Sequence, residues 1–234
     1  MDNEKKYKSP EVNHGDAGYA VVKAGISSLP ILGAFASELL GLIVTPPLEK
    51  RKLEWMELVG EGLRELEQKM NIILEELPNS DKFIDAAMDA TQISLRTSQK
   101  EKLDALRNAL LNSALPHSAE DSIQKMFFSF IDIFTVFHLK ILELFDNPGI
   151  WLKKHDVNIG DINAGALSHI VEKAFPELDR RRSFYDQIWK DLNLRGLVST
   201  ESLHGMMTGG GLIAKRTTKL GEAFLKFISN PLRN

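Results

Sequence analysis

Between Leu53 and Leu77 apolar residues fall at alternating spacings of three and four: Leu53, Met56, Val59, Leu63, Leu66, Met70, Ile73 and Leu77. Only an α-helix brings residues so spaced onto one side. A stripe of that length demands a partner surface, within the chain or on a second copy of it. Arg64, Glu65, Glu67 and Lys69 fall on the opposite, solvated face. Pro46-Pro47 opens this segment and Pro78 is expected to close it, because proline removes a backbone donor and crowds the preceding turn. The same period returns further on. Ser80 is placed to cap a helix whose face carries Ile84, Met88, Thr91 and Leu95, and Leu103, Leu106, Leu110 and Ala114 mark another that stops before Pro116. Met126, Phe127, Phe130, Ile131 and Phe134 then predict a central core helix, since burying one phenylalanine is worth about 1.5–3 kcal/mol.

Ahead of the stripe, "GYAVVKAGISSLPILGAFASELLGLIVTPP" covers residues 18–47 and is long enough to raise the question of a membrane span. Lys23, Pro30 and Glu38 interrupt it. A charge near the middle of a span costs about 2.5–3.5 kcal/mol, so the sequence favours a helical unit bent at Pro30 and buried in protein. Gly33, Ser37 and Gly41 recur every fourth position and form a small-residue face suited to close helix packing or to contact with lipid. Residues 1–17 are polar and expected to be flexible. Without a secretory leader, and with no cysteine in 234 residues, the expected location is the cytoplasm, with membrane association reserved for an activated state. A net charge of −3 offers no global attraction to nucleic acid, so any such binding must come from a local patch.

From Thr135 the pattern changes. "TVFHLKILELF", "AGALSHIVEKAF" and "RSFYDQIWKDLNLRGLV" predict three short helices, the first with Phe137, Ile141, Leu144 and Phe145 inward. "LVSTESLHGMMT" and "GLIAKRTT" lack that period and flank Gly209–Gly211, which predicts two strands joined at the glycines. "TKLGEAFLKFI" returns to a helix with Thr218 as its cap and Leu220, Phe224, Leu225 and Ile228 inward. This order of helices, hairpin and helix resembles a winged helix-turn-helix module over roughly residues 135–230, with the glycines as the wing tip. The fold class expected is therefore mainly α: a helical body over 18–134 followed by a winged-helix-like module with a small β-hairpin over 135–234. The glycines satisfy G-x-G-x-x-A, but no strand, helix and acidic residue follow at dinucleotide-site spacing, and the Lys-Ser/Thr ending of a P-loop is missing.

In such modules the third helix enters the major groove while neighbouring groups hold phosphates. The residues that would do so are Arg180, Arg181, Arg182, Ser183, Gln187 and Lys190, together with Lys215, Arg216 and Lys219 after the glycines. Asp186 and Asp191 fall on the same helix and oppose binding to phosphate. No catalytic residue, metal site or cofactor is expected: His14, His117, His138, His155, His169 and His204 form no metal-binding pair, and no G-x-S-x-G elbow is present. "HLKILELFD" places Asp146 one residue too far for the phospholipase D-like pattern. The layout of an apolar start, a long charged helix, "KEKLDALRNALLNSA" and the closing "TKLGEAFLKFI" resembles uncharacterised bacterial helical proteins and, more distantly, is similar to the Abi-alpha abortive-infection family. That resemblance implies a bacterial protein of phage defence or stress response. The expected function is a non-enzymatic interaction protein that recognises a macromolecule through the C-terminal module, with the apolar N-terminal segment left to contact a protein partner or membrane and homo-oligomer formation open; the alternative is a DNA-binding transcriptional regulator.

Overall fold

The computed structural model describes residues 47–70, 73–160 and 163–233. Gly33, Ser37 and Gly41, the bend at Pro30 and the polar start all lie outside the described residues. Contacts divide the chain into two units, Met1–Leu53 and Glu54–Asn234, and the hydrophobic core belongs to the second.

The architecture is mainly helical. Helix α1 spans Pro47–Met70 and therefore begins at the proline pair, with Pro47 in the first turn where its missing N–H costs nothing. It ends short of Pro78, which sits in a 3₁₀ segment, Leu74–Asn79. The buried residues of α1 are Trp55, Gly62 and Leu66, whereas Met70 and Ile73 are exposed, so only part of the expected stripe faces the core. The helix is rotated by polar ties as well as packing. The Trp55 indole N–H donates to Thr91 Oγ1 at 3.1 Å, and the Arg107 guanidinium donates to the Leu58 carbonyl at 3.1 Å.

Helix α2, Asp81–Leu95, is capped as expected, Ser80 Oγ accepting from the Phe83 N–H. Its inward face differs from the expected one: Ala86, Ala90, Ile93 and Ser94 are buried, and Ile84 and Met88 are exposed. The cause is its partner, α3 (Lys100–Ser113), which buries Ala105 and Ala109. Small side chains on both helices allow a close crossing that the Ile84 and Met88 face would obstruct. Helix α4, Asp121–Ile133, packs on both and supplies the aromatic centre: Phe127, Phe128, Ile131 and, just beyond the helix, Phe134 are almost fully buried.

Next come α5 (Val136–Asp146), α6 (Pro148–Lys154), strand β1 (Ala164–Gly165), α7 (Leu167–Ala174) and α8 (Arg182–Leu194). Helix α6 falls where the sequence pattern predicts none. Pro148 starts it, and the Asn147 carboxamide oxygen accepts from the Ile150 N–H. Helix α8 ends in a Schellman motif. Gly196 takes φ of 69°, its N–H donates to the Asn193 carbonyl, and the Leu197 N–H donates to that of Leu192.

The expected hairpin with a glycine tip is not what forms. Thr208 Oγ1 accepts from the Gly211 N–H and starts a short helix, α9 (Gly209–Leu212), so the three glycines are a helical turn. Strand β2, Met207–Thr208, pairs antiparallel with β1 across the module instead of with the segment after the glycines. A returning antiparallel contact does exist nearer the helices: Val198 bridges Thr217, with Ser199 N–H donating to the Arg216 carbonyl and Thr218 N–H to that of Leu197.

Helix α10, Lys219–Ile228, is capped by Thr218, whose hydroxyl oxygen accepts from the Gly221 N–H. It packs on α3 and α5. Phe224 and Phe227 meet Phe127 with ring centroids 5.3 and 5.4 Å apart. The stretches on either side of Thr135 thus share one hydrophobic core. Asn108 and Asn112 of α3 fasten α10, donating to the carbonyls of Ile228 at 3.0 Å and Phe227 at 2.8 Å, groups that the helix end leaves without an internal donor.

Candidate nucleic-acid interface

Helix α8 is amphipathic. Tyr185, Ile188, Trp189 and Leu192 follow the helical period inward and are buried. Their polar atoms are satisfied: Trp189 Nε1 donates to the Thr200 carbonyl at 2.8 Å, and the Tyr185 hydroxyl donates to Glu172 of α7 at 2.7 Å. Burial and the adjacent Glu172 carboxylate together push the Tyr185 hydroxyl well above the usual phenol range, so it stays a donor at neutral pH.

The outer face carries Ser183, Gln187 and Lys190, all exposed. The two carboxylates that opposed phosphate binding are engaged elsewhere. Asp186 Oδ1 lies 2.6 Å from His204 Nε2, and its other oxygen faces Arg182 at 3.4 Å. Asp191 accepts from Gln187 Nε2 at 2.9 Å and stands 3.5 Å from His138 and 4.0 Å from Arg195. His204 and His138 come from positions far away in sequence; pairs at i,i+4, such as Arg182–Asp186, carry a local signal. The Asp186–His204 pair resembles half of a catalytic triad. Among the described residues, however, no serine or threonine hydroxyl bonds the second imidazole nitrogen.

Arg180, Arg181 and Arg182 sit together at the start of α8. Arg180 holds a left-handed backbone, φ of 60°; its side chain is 93% exposed and lies 3.8 Å from the exposed Asp179 carboxylate. The Arg181 guanidinium lies over the Phe184 ring, 4.4 Å from its centroid, an arrangement that leaves its outer N–H groups free for an anion. The remaining basic residues divide. Lys215 is held between Asp146 at 2.7 Å and Glu222 at 3.0 Å, and the hydrogen bond to Asp146 raises its pKa above the ordinary lysine value. Arg216 turns inward, donating to the Gly211 carbonyl and approaching Met207 Sδ at 3.1 Å. Lys215, which remains exposed, and Arg216 therefore brace the base of α10 and the glycine turn. Lys219 is exposed in the first turn of α10, apart from the arginine cluster.

Beneath α8, His138 of α5 is buried and stacks on Phe134 with centroids 4.7 Å apart. Its Nδ1 accepts from the Thr135 N–H at 3.2 Å, which places the neutral ring's proton on Nε2 toward Asp191. Burial outweighs the Asp191 carboxylate and holds the pKa below the ordinary histidine value, with Arg195 and Lys102 adding to the depression. The unfolded chain, titrating near a pKa of about 6.5, binds this proton before the folded one does. The stabilisation is fully present above that unfolded value and lost as pH falls through the folded one. Melting temperature should fall on acidification from about pH 7.5 to pH 5.5, more steeply in the wild type than in His138→Gln. Equal slopes would show that His138 does not carry this dependence.

Compared with known proteins, the chain matches no family model, no curated protein and no solved structure. Fold and site therefore define a class only: a mainly helical protein with a basic, carboxylate-neutralised helix start on its surface. Among the described residues, no helix is long and apolar enough to cross a membrane.

Proposed function

We propose that this is a non-enzymatic recognition protein whose C-terminal region acts as a winged-helix-like module and uses the start and outer face of α8 to hold duplex DNA. One observation carries the reading. Asp186 and Asp191 are drawn onto His204, Arg182, Gln187 and Arg195, which leaves Arg180, Arg181, Ser183 and Lys190 as the outward groups of a single helix and its start. Arginines supply phosphate contacts, and a Ser side chain suits base edges or the sugar-phosphate backbone. The antiparallel return at Val198 and Thr217 supports the comparison with a winged helix, although the turn it encloses is helical. A place in bacterial defence or stress response, where the same face would serve a regulator, is the setting we attach to it.

The test is a charge reversal of Arg180, Arg181 and Arg182 to Glu in the full chain. Duplex affinity is expected to fall by about a hundredfold or more and the dependence on salt to flatten. Thermal stability should change little, because Arg182–Asp186 is an exposed pair worth at most about 1 kcal/mol. Undiminished duplex binding by a folded variant would reject this surface.

A further inference from the structure

A second concave surface lies away from these arginines, a groove of about 550 Å³ bounded by α3, α5, α6 and α10. Its floor is apolar, formed by Ala105, Leu139, Trp151, Leu225 and Ile228, and Ile150 stands at the rim with 65% of its surface exposed. The groove carries four carboxylates, Glu101, Asp104, Glu143 and Asp146, against two lysines, Lys140 and Lys154. Pairing reduces this to two carboxylates against one lysine. Lys140 is spent on Glu101 at 3.4 Å, and Asp146 is taken by Lys215 and by the Thr217 hydroxyl. Among the described residues, Asp104 and Glu143 remain exposed with no ion pair, facing Lys154 alone.

From this charge pattern we infer that the groove is a docking site for a cationic amphipathic helix of a partner protein. The walls are helices and offer no sheet edge to which an extended peptide could add as a strand, so the occupant must satisfy its own backbone. An amphipathic helix does so. Its apolar face would cover Leu139, Trp151, Leu225 and Ile228, and lysines or arginines on its flanks would reach Asp104 and Glu143. Carboxylates around an apolar floor reject acidic helices and anionic lipid, which makes the rim a selectivity device as well as an attraction. The site is independent of the DNA-binding reading, since none of its lining residues belongs to α8.

The experiment measures fluorescence polarisation of a labelled leucine–lysine amphipathic peptide, and of its leucine–glutamate counterpart, against the full chain. The lysine peptide is expected to bind with an affinity that weakens as salt rises, and the glutamate peptide to bind at least about tenfold more weakly. Asp104→Lys with Glu143→Lys, both at exposed positions, should weaken the lysine peptide about tenfold, and Ile150→Lys should weaken it without changing thermal stability. Equal binding of the two peptides, or indifference of the lysine peptide to the double reversal, would overturn the assignment. So would self-association of the chain that Ile150→Lys abolishes, which would make the groove an interface between copies, or binding to phosphatidylserine vesicles that Ile150→Lys abolishes.

Discussion

Gly221→Ala should destabilise the protein by about 3 kcal/mol, a cost that combines overpacking with a damaged backbone hydrogen bond. A Cβ built at Gly221 would lie 2.2 Å from the Leu197 carbonyl oxygen, and that oxygen is main chain, so no side chain can swing away to relieve the contact. The same carbonyl accepts from the Thr218 N–H at 3.0 Å. Relief therefore requires separating α10 from the segment that leads out of α8, and the antiparallel return at Val198 and Thr217 separates with it. Gly210→Ala is the control. It meets nothing within 4 Å, so chemical denaturation should place it within about 1 kcal/mol of wild type. Comparable midpoints for the two variants would show that the close approach at Gly221 is not tight in solution.

Phe127→Ala should cost about 3–5 kcal/mol and leave unfolding as a single transition. Phe127 is 1% exposed, and its ring meets those of Phe130, Phe224 and Phe227. Two of these partners belong to α10, on the far side of the division at Thr135 that the sequence suggests. If the helical body and the C-terminal module were separate folding units, deleting this ring would lower one transition and leave a second in place. The shared aromatic centre predicts one transition that shifts as a whole, whether followed by tryptophan fluorescence or by far-UV circular dichroism.

How far the fold is legible in the sequence depends on which physical signal each element carries. Helices announced by period and proline form close to where those signals place them, as at Pro47, Ser80 and Thr218, because capping and proline effects act within one turn. Which face of a helix turns inward is decided by its neighbour. The alanines of α2 win over Ile84 and Met88 only because α3 also presents alanines, and no rule internal to α2 contains that fact. Helix α6 is too short to show a period, and its one local signal is Pro148 in the first turn behind the capping Asn147. The glycine triplet has three residues suited to a turn and one cap, Thr208, that makes them a helix.

The candidate site divides along the same line. The arginine triplet and the outward residues of α8 are legible from residue type and helical period. That Lys215 and Arg216 are consumed by Asp146, Glu222 and the Gly211 carbonyl is not, and neither is the capture of Asp186 by His204. Asp146 reaches Lys215 only after the chain has run through several intervening elements, and Asp186 reaches His204 across the loop that follows α8.

The clamp of Asn108 and Asn112 on the carbonyls of α10 bears on synthesis. A nascent chain emerges from the ribosome in order, so α3 and the phenylalanines of α4 are in water well before residues 219–228 arrive to cover them. During that interval the uncovered rings are open to chaperones or to neighbouring nascent chains. A message stalled before Lys219 would therefore yield a sticky product, and the cell's handling of such fragments would depend on how quickly that aromatic surface is shielded.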